Sequence, residues 1–137
     1  MNWEEELVLR NRKVKFDKNL VGKTMCNIVG KIESYANKYR INLNPSCIPL
    51  EHLDIDGENA VRVNFNFLEK DTILNISVEN GEHVFASILI EDYFYTIKYE
   101  NLREEDQANY QDVSYYDLSE EILSETIKNV LILNNKF

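Results

Sequence analysis

The stretch Val61–Val78, VRVNFNFLEKDTILNISV, decides the fold. Apolar residues occupy every second position from Val61 to Phe67, and this period of two is typical of a half-buried β-strand. A four-residue turn, Leu68–Asp71, leads into a second strand that begins at Thr72. Pairing Phe67 with Thr72 places every apolar pair of the two strands on one face, so turn length and residue pattern both predict a hairpin.

The residues that follow extend this hairpin into a meander. Asn80-Gly81 is a preferred dipeptide for a two-residue type I′ turn, which would pair Ile76 with Phe85. A third turn is predicted at Glu91-Asp92. In this register Ile88, Tyr95 and their apolar neighbours lie on the outer face of the sheet, which is then apolar on both faces. Either the last helix or a partner, including a second copy of the chain in a homodimer, is expected to cover that outer face.

Helices are predicted on both sides of the meander. Apolar residues in Lys23–Arg40 recur at spacings of three and four, which predicts an amphipathic helix. A second helix is predicted from Asp117 to Leu133, where Asp117 followed by Glu120 resembles a capping box. The first 20 residues fit either a short hairpin or a helical turn. The sequence therefore predicts a single α+β domain over residues 1–137, with an antiparallel β-meander of about four strands flanked by an N-terminal and a C-terminal helix.

Charge excludes some classes of partner. The chain has 15 Lys or Arg and 24 Asp or Glu, a formal net charge of −9. Residues 1–40 hold nine basic and five acidic residues, whereas residues 41–137 hold six and nineteen. Nucleic acids and anionic membranes need a basic footprint, so this balance argues against both. It favours a basic protein as the partner.

The sequence contains no convincing catalytic or metal-binding motif. His52 lies beside carboxylates but is interpreted as a surface residue and not as a general base. Asp54–Glu58 resembles half of a calcium loop, but Val63 stands where the bidentate glutamate is required. Cys26 is interpreted as a core thiol, and Cys26 with Cys47 suits a reducing cytoplasm. The sequence shows no recognisable signal peptide or membrane span, so we expect a cytoplasmic protein. Because it also lacks catalytic and metal-binding motifs, we expect a protein that is not an enzyme and that needs no metal or cofactor.

One group of residues remains as a candidate site. Between Glu100 and Glu125 nine acidic residues stand against Arg103 alone. Tyrosine gives a large contact area at low entropy cost, and carboxylates accept paired hydrogen bonds from arginine. We predict a partner-binding surface made of acidic and tyrosine side chains: Glu104, Glu105, Asp106, Tyr110, Asp112, Tyr115, Tyr116 and Asp117. The alternative is a solvated loop whose tyrosines lie back on the sheet.

In its size, acidity, helix–sheet–helix order and lack of catalytic motifs, the chain resembles the small acidic immunity proteins that bacteria encode beside polymorphic or contact-dependent toxins. The resemblance covers the whole length. It implies a non-enzymatic protein that binds its cognate toxin domain and blocks it, with the acidic surface mimicking nucleic acid if the toxin is a nuclease. The alternative is a secretion-type chaperone that binds an effector chain, although no helix is predicted inside the meander, where such chaperones usually carry one. A small-ligand protein would need a pocket with convergent polar groups.

Overall fold

The computed structural model describes residues 2–12, 14–69 and 72–137. Within these ranges the two long helices and a single sheet enclose one apolar core. The elements are, in chain order, α1 (Trp3–Arg10), α2 (Lys18–Tyr39), β1 (Asn44–Ile48), β2 (His52–Asp56), β3 (Val61–Phe67), β4 (Thr72–Val78), β5 (Phe85–Glu91), β6 (Phe94–Glu100), a 3₁₀-helix (Glu104–Asp106), β7 (Val113–Tyr115) and α3 (Glu120–Leu133).

The seven strands form an antiparallel sheet whose order in space is their order in sequence. The predicted α+β class, with a helix before and a helix after an antiparallel meander, is confirmed. The predicted number of about four strands is too low, because β1, β2 and β7 also belong to the sheet. β1 carries Pro45 and β7 has three residues, so neither shows the run of alternating residues that signals a strand. Pro45 is tolerated there because β1 is an edge strand.

The β3–β4 hairpin has a register two residues away from the predicted one. Phe67 lies opposite Leu74 instead of Thr72, and the Leu68 N–H donates to the Ile73 carbonyl at 3.1 Å. Of the predicted turn Leu68–Asp71, the last two residues lie outside the described ranges. A shift of two leaves every side chain on its predicted face, so the residue pattern alone does not distinguish the two registers.

The β4–β5 connection is longer than the predicted two-residue turn, and this changes the fold more. Ile76 lies opposite Ala86 instead of Phe85. Asn80 has a positive φ of 55°, but Gly81 does not, so the two positive φ values of a type I′ turn are absent here. A slip of one residue moves an entire strand to the opposite face. Ala86, Ile88 and Ile90 therefore lie on the inner face.

The predicted two-sided apolar sheet is consequently wrong. Ile88 lies opposite Leu74 on one side and Ile97 on the other, and it is completely buried. Tyr95 also faces this core. The outer face is mostly polar, and its central strands carry Asn64, Asn66, Asn75, Ser77, Ser87, Thr96 and Lys98. That face is therefore not the apolar surface through which a homodimer was predicted.

α2 packs on β1 and α3, and α3 in turn packs on β4 and β5. α2 begins at Lys18, earlier than the predicted Lys23, because the Asp17 side chain caps it by accepting from the Asn19 N–H at 2.9 Å. Its buried residues are Val21, Thr24, Met25 and Ala36, whereas Tyr39 of the predicted apolar stripe is 62% exposed. The ambiguous N-terminal residues form the helix α1.

α3 ends at Leu133 as predicted but begins three residues later than predicted. Ser119, and not Asp117, is the N-cap residue, and its hydroxyl oxygen accepts from the Ile122 N–H at 3.2 Å. Asp117 therefore lies outside the helix, on the surface beside β7.

Candidate functional site

Residues 101–119 run from β6 to α3 along one edge of the sheet. Their first part contains the 3₁₀-helix, and their second part contributes β7, which pairs with β6 through Tyr95 and Tyr115, Thr96 and Ser114, and Ile97 and Val113. The segment that carries the predicted partner-binding residues therefore includes the last strand of the sheet. Because β7 is short and is one of the two edge strands, the residues around it lie at the rim of the fold.

The predicted acidic residues do not share one environment. Asp106 is half-buried and lies 3.1 Å from the Arg103 guanidinium, which is also 3.7 Å from Glu105. Asp112 lies at the longer distance of 3.9 Å from the Lys98 amine. All these carboxylates except Asp106 are nevertheless exposed, and the Glu105 and Asp112 side chains keep 70% and 58% of their surface accessible to solvent. We call the exposed set the acidic edge: Glu104, Glu105, Asp112 and Asp117.

Two of the three tyrosines predicted to bind a partner pack against the rest of the protein. Tyr110 packs edge-on against Tyr99 of β6, with 5.6 Å between ring centroids. Tyr115 faces inward from β7 and packs against the core. Tyr116 stays more exposed and contacts Phe94 at 5.1 Å between centroids. The alternative in which the tyrosines rest on the sheet therefore holds for Tyr110 and Tyr115, whereas the acidic edge remains open to water.

Arg12 connects the N-terminal region to this edge. Its guanidinium lies 3.3 Å from an Asp117 carboxylate oxygen and donates to the main-chain carbonyls of Tyr93 and Tyr116. One arginine thus joins the α1–α2 connection, the β5–β6 turn and the chain between β7 and α3. Arginine suits this place because its planar fork donates in several directions at once.

A pocket of about 280 Å³ lies between this edge and α3. Its apolar lining comes from Ile97, Val113 and Ile122. Its polar and aromatic lining comes from Tyr99, Asn109, Tyr110, Gln111, Tyr115, Glu125, Thr126 and Asn129. The sequence prediction located Tyr110 and Tyr115 but not the α3 residues, since their spacing is visible only once α3 is placed against β6 and β7. Convergence of polar groups in a pocket is what a binding site requires.

The Tyr99 hydroxyl is one of the polar groups in the lining of this pocket. It accepts a hydrogen bond from the Asn129 side-chain amide at 3.0 Å. Burial raises the pKa of Tyr99, the hydrogen bond from Asn129 acts against this, and the charges of Tyr115 and Glu125 add to the increase in pKa. The phenol, the amide and the carboxylate therefore lie close enough to influence one another.

No protein-family model matches the chain, and no curated protein or solved structure is significantly similar to it. In the described part of the chain, no helix is both long and apolar enough to cross a membrane. The described residues also contain no group of three or more His, Cys, Asp or Glu that could hold a metal ion.

The other residues considered from the sequence lie far from this edge or have different surroundings from those predicted. His52 belongs to β2 and its side chain is only 15% exposed, so it is not a surface residue. Its Nε2 lies 3.7 Å from Asp54, whose carboxylate already accepts from the Arg62 guanidinium at 2.6 Å. Cys26 is exposed, so the prediction of a core thiol is wrong, and it is Cys47 that packs against the core.

Proposed function

We propose that this chain is a non-enzymatic binding protein that neutralises a cognate toxin domain by covering a basic surface of that domain. The observation that carries the proposal is the acidic edge, where exposed carboxylates flank the edge strand of the sheet. Glu105 and Asp112 remain largely exposed although each lies within 4 Å of a cation. Exposed pairs of this kind contribute little to stability, so the charges are better explained by what they attract.

Carboxylates at this edge would accept hydrogen bonds from the arginines and lysines of a basic partner. If the toxin is a nuclease, its phosphate-binding residues are the natural target, and the carboxylates would occupy the places of phosphates. Complementary charge would also speed the encounter of the two proteins, which suits a protein that must act before its partner does harm.

The position of the charges along β7 supports the same proposal. An unprotected edge strand offers free main-chain groups to any other strand. The flanking Asp112 and Asp117 would repel a second copy of this acidic edge, while a basic partner would be attracted to it. The acidic edge therefore favours a basic partner over a second copy of this chain.

The test uses the protein domain encoded immediately beside the gene of this chain. We expect co-expression to restore the growth of cells that produce that domain, and we expect surface plasmon resonance to show direct binding. The triple variant Glu104→Lys, Glu105→Lys, Asp112→Lys should fold normally and associate at least tenfold more slowly at low salt, as rim charges do.

A matched triple variant controls for net charge. Glu33→Lys, Glu58→Lys and Glu69→Lys change the net charge by the same amount at exposed positions elsewhere. We expect a much smaller decrease in the association rate for this variant. Equal decreases for both triple variants would refute a specific role of the acidic edge, and absence of both binding and growth rescue would refute the proposed function.

The alternative, a secretion-type chaperone, is favoured by one feature of α1. Trp3, Leu7 and Val8 are 70%, 55% and 71% exposed, and exposed apolar helices bind partner chains. Between Asn44 and Glu100, however, the described residues contain six strands and no helix. Deletion of residues 2–11 separates the two functions: it should leave toxin binding through the acidic edge intact but abolish binding of an effector chain.

A further inference from the structure

We propose that the pocket between β7 and α3 receives an arginine side chain of the basic partner and serves as the anchor of the interface. This inference rests on the proposed function, because it takes the partner to be a basic protein. It assigns a definite chemistry to a cavity that lies directly beside the acidic edge and shares Tyr110 and Tyr115 with the predicted binding surface.

The lining of the pocket suits a cation that is also flat and partly apolar. Tyr99, Tyr110 and Tyr115 bring aromatic rings to the pocket, and a guanidinium is attracted to the faces of such rings. Glu125 contributes a carboxylate that is 60% exposed, so it can accept hydrogen bonds from an incoming group. Its present partner, Lys128 at 2.9 Å, forms an exposed pair of the kind that is readily exchanged.

The volume is sufficient for a side chain. The pocket holds about 280 Å³, close to the lower end of the roughly 300–1,000 Å³ that pockets for drug-sized ligands span, so the choice of arginine rests on the lining. Arginine fits better than lysine, because its planar group can stack on a ring and still donate to a carboxylate and to the amide oxygens of Asn109 or Gln111. Arginine is also enriched among the residues that dominate interface energies.

The first experiment needs no toxin. N-acetyl-arginine amide is titrated into the isotopically labelled protein and followed by the movement of backbone amide signals. We expect the largest shifts at residues 109–115 and 122–129. The citrulline analogue, which has the same shape without the charge, should bind at least fivefold more weakly. Shifts spread evenly over the acidic surface, or equal binding of the citrulline analogue, would overturn the proposal.

Paired variants then test the pocket itself. Glu125→Gln and Tyr110→Leu should each weaken arginine binding at least fivefold, whereas Tyr110→Phe, which keeps the ring, should bind normally. Glu33→Gln and Tyr35→Leu make the same chemical changes at exposed positions of α2 and should have little effect. Equal losses in the pocket variants and their α2 controls would refute the pocket as the site.

The two proposals can fail separately. If the arginine probe binds in the pocket but the neighbouring toxin domain is not bound, the proposed function is wrong and a guanidinium-binding pocket remains. If the toxin domain is bound and Glu125→Gln and Tyr110→Leu leave its dissociation rate unchanged, the anchor is wrong and the proposed function stands.

Discussion

Gly81 lies directly against the side chain of Asn134. A Cβ atom at Gly81 would stand 2.5 Å from the Asn134 Oδ1 atom, closer than non-bonded atoms approach. Asn134 is 2% exposed, and its amide nitrogen donates to the carbonyls of Val84 at 2.8 Å and Val130 at 2.7 Å. Its oxygen accepts from the Glu82 N–H at 2.8 Å. This one buried amide therefore joins the end of α3 to the β4–β5 loop.

The close approach predicts that Gly81→Ala destabilises the fold. The added methyl group would force Asn134 to move or the loop to open, which costs about 1–3 kcal/mol in a packed site. Gly30→Ala is the matched control, because nothing lies within 4 Å of a Cβ at Gly30 in α2. That change should stabilise the protein by up to about 1 kcal/mol. Urea denaturation of both variants measures the difference, and equal stabilities would contradict the contact.

Asn134→Ala is expected to destabilise the protein by about 2–4 kcal/mol, because it leaves the buried Val84 carbonyl and the half-buried Glu82 N–H without their partner. The two sites should also be coupled. In the Asn134→Ala background the methyl group of Gly81→Ala finds space, so its cost should decrease by at least 1 kcal/mol. A double-mutant cycle by urea denaturation gives this coupling directly. Strict additivity would show that Gly81 is small for another reason.

The same pair of residues explains why the sequence prediction failed at this turn. Asn80-Gly81 is a common signal for a two-residue hairpin, and that signal is local. The residue that determines the loop is Asn134, which is 53 positions further along the chain. The residues of the turn alone do not reveal this packing. The predicted register of β5 was therefore wrong by one residue, which placed its side chains on the wrong face of the sheet.

Other parts of the fold were accessible from the sequence. Three elements show a pattern that repeats over several residues: the alternation in Val61–Phe67 and the helical spacing in α2 and α3. Because each pattern repeats, an error of a few residues in a predicted boundary does not change the predicted type of element. β1, β2 and β7 are too short or too irregular to give such a signal. For the candidate site, the sequence located the acids and Tyr110, but the contribution of α3 to the pocket depends on how the helix packs against β6 and β7.

The buried tyrosines predict how stability changes at alkaline pH. Burial raises the pKa of Tyr93, Tyr95 and Tyr99 above the ordinary value of 10.0. Above pH 10 the unfolded chain loses these protons while the folded chain keeps them, so the free energy of unfolding should fall with increasing pH in that range. Below pH 10 this contribution is fully present. Urea denaturation between pH 9 and 11 measures the fall.

Absorbance at 295 nm tests the assignment to particular residues. The folded protein should show a late-ionising fraction of its eight tyrosines, and denaturation in guanidinium should abolish it. Tyr99→Phe should remove part of that fraction. A single titration step shared by the folded and denatured protein would contradict the predicted burial.

The two thiols are expected to differ in reactivity. Burial raises the pKa of Cys47, and the neighbouring Cys26 adds to this increase. Because the thiolate is the reactive form, Cys47 should react with iodoacetamide at pH 8 more slowly than the exposed Cys26. Peptide mass spectrometry of the Cys26→Ser and Cys47→Ser variants gives the two rates separately. Faster labelling of Cys47 would place it at the surface instead.

Arg12 is predicted to hold the N-terminal region against the acidic edge. Arg12→Met would leave the carbonyls of Tyr93 and Tyr116 without this donor and would remove the cation near Asp117. Hydrogen bonds to a charged group contribute about 1.5–3 kcal/mol each, but the Arg12 side chain is 30% exposed, so water will replace part of the loss. We expect a net destabilisation of about 1–2 kcal/mol by urea denaturation, together with faster hydrogen exchange in β7.

Two variants separate this role from a general effect of charge. Arg12→Lys keeps the charge, but all its donors lie on one nitrogen and cannot span acceptors that two guanidinium nitrogens reach, so it should recover less than half of the stability. Arg10→Met removes an arginine whose partner, Glu6 at 2.7 Å, is on the same exposed helix, and it should leave both stability and exchange in β7 nearly unchanged. If Arg12→Lys behaves as the wild type, the attachment of the N-terminal region depends on charge alone. In that case salt should weaken it as strongly as the substitution does, because exposed charges are screened within about 8–10 Å at ordinary ionic strength.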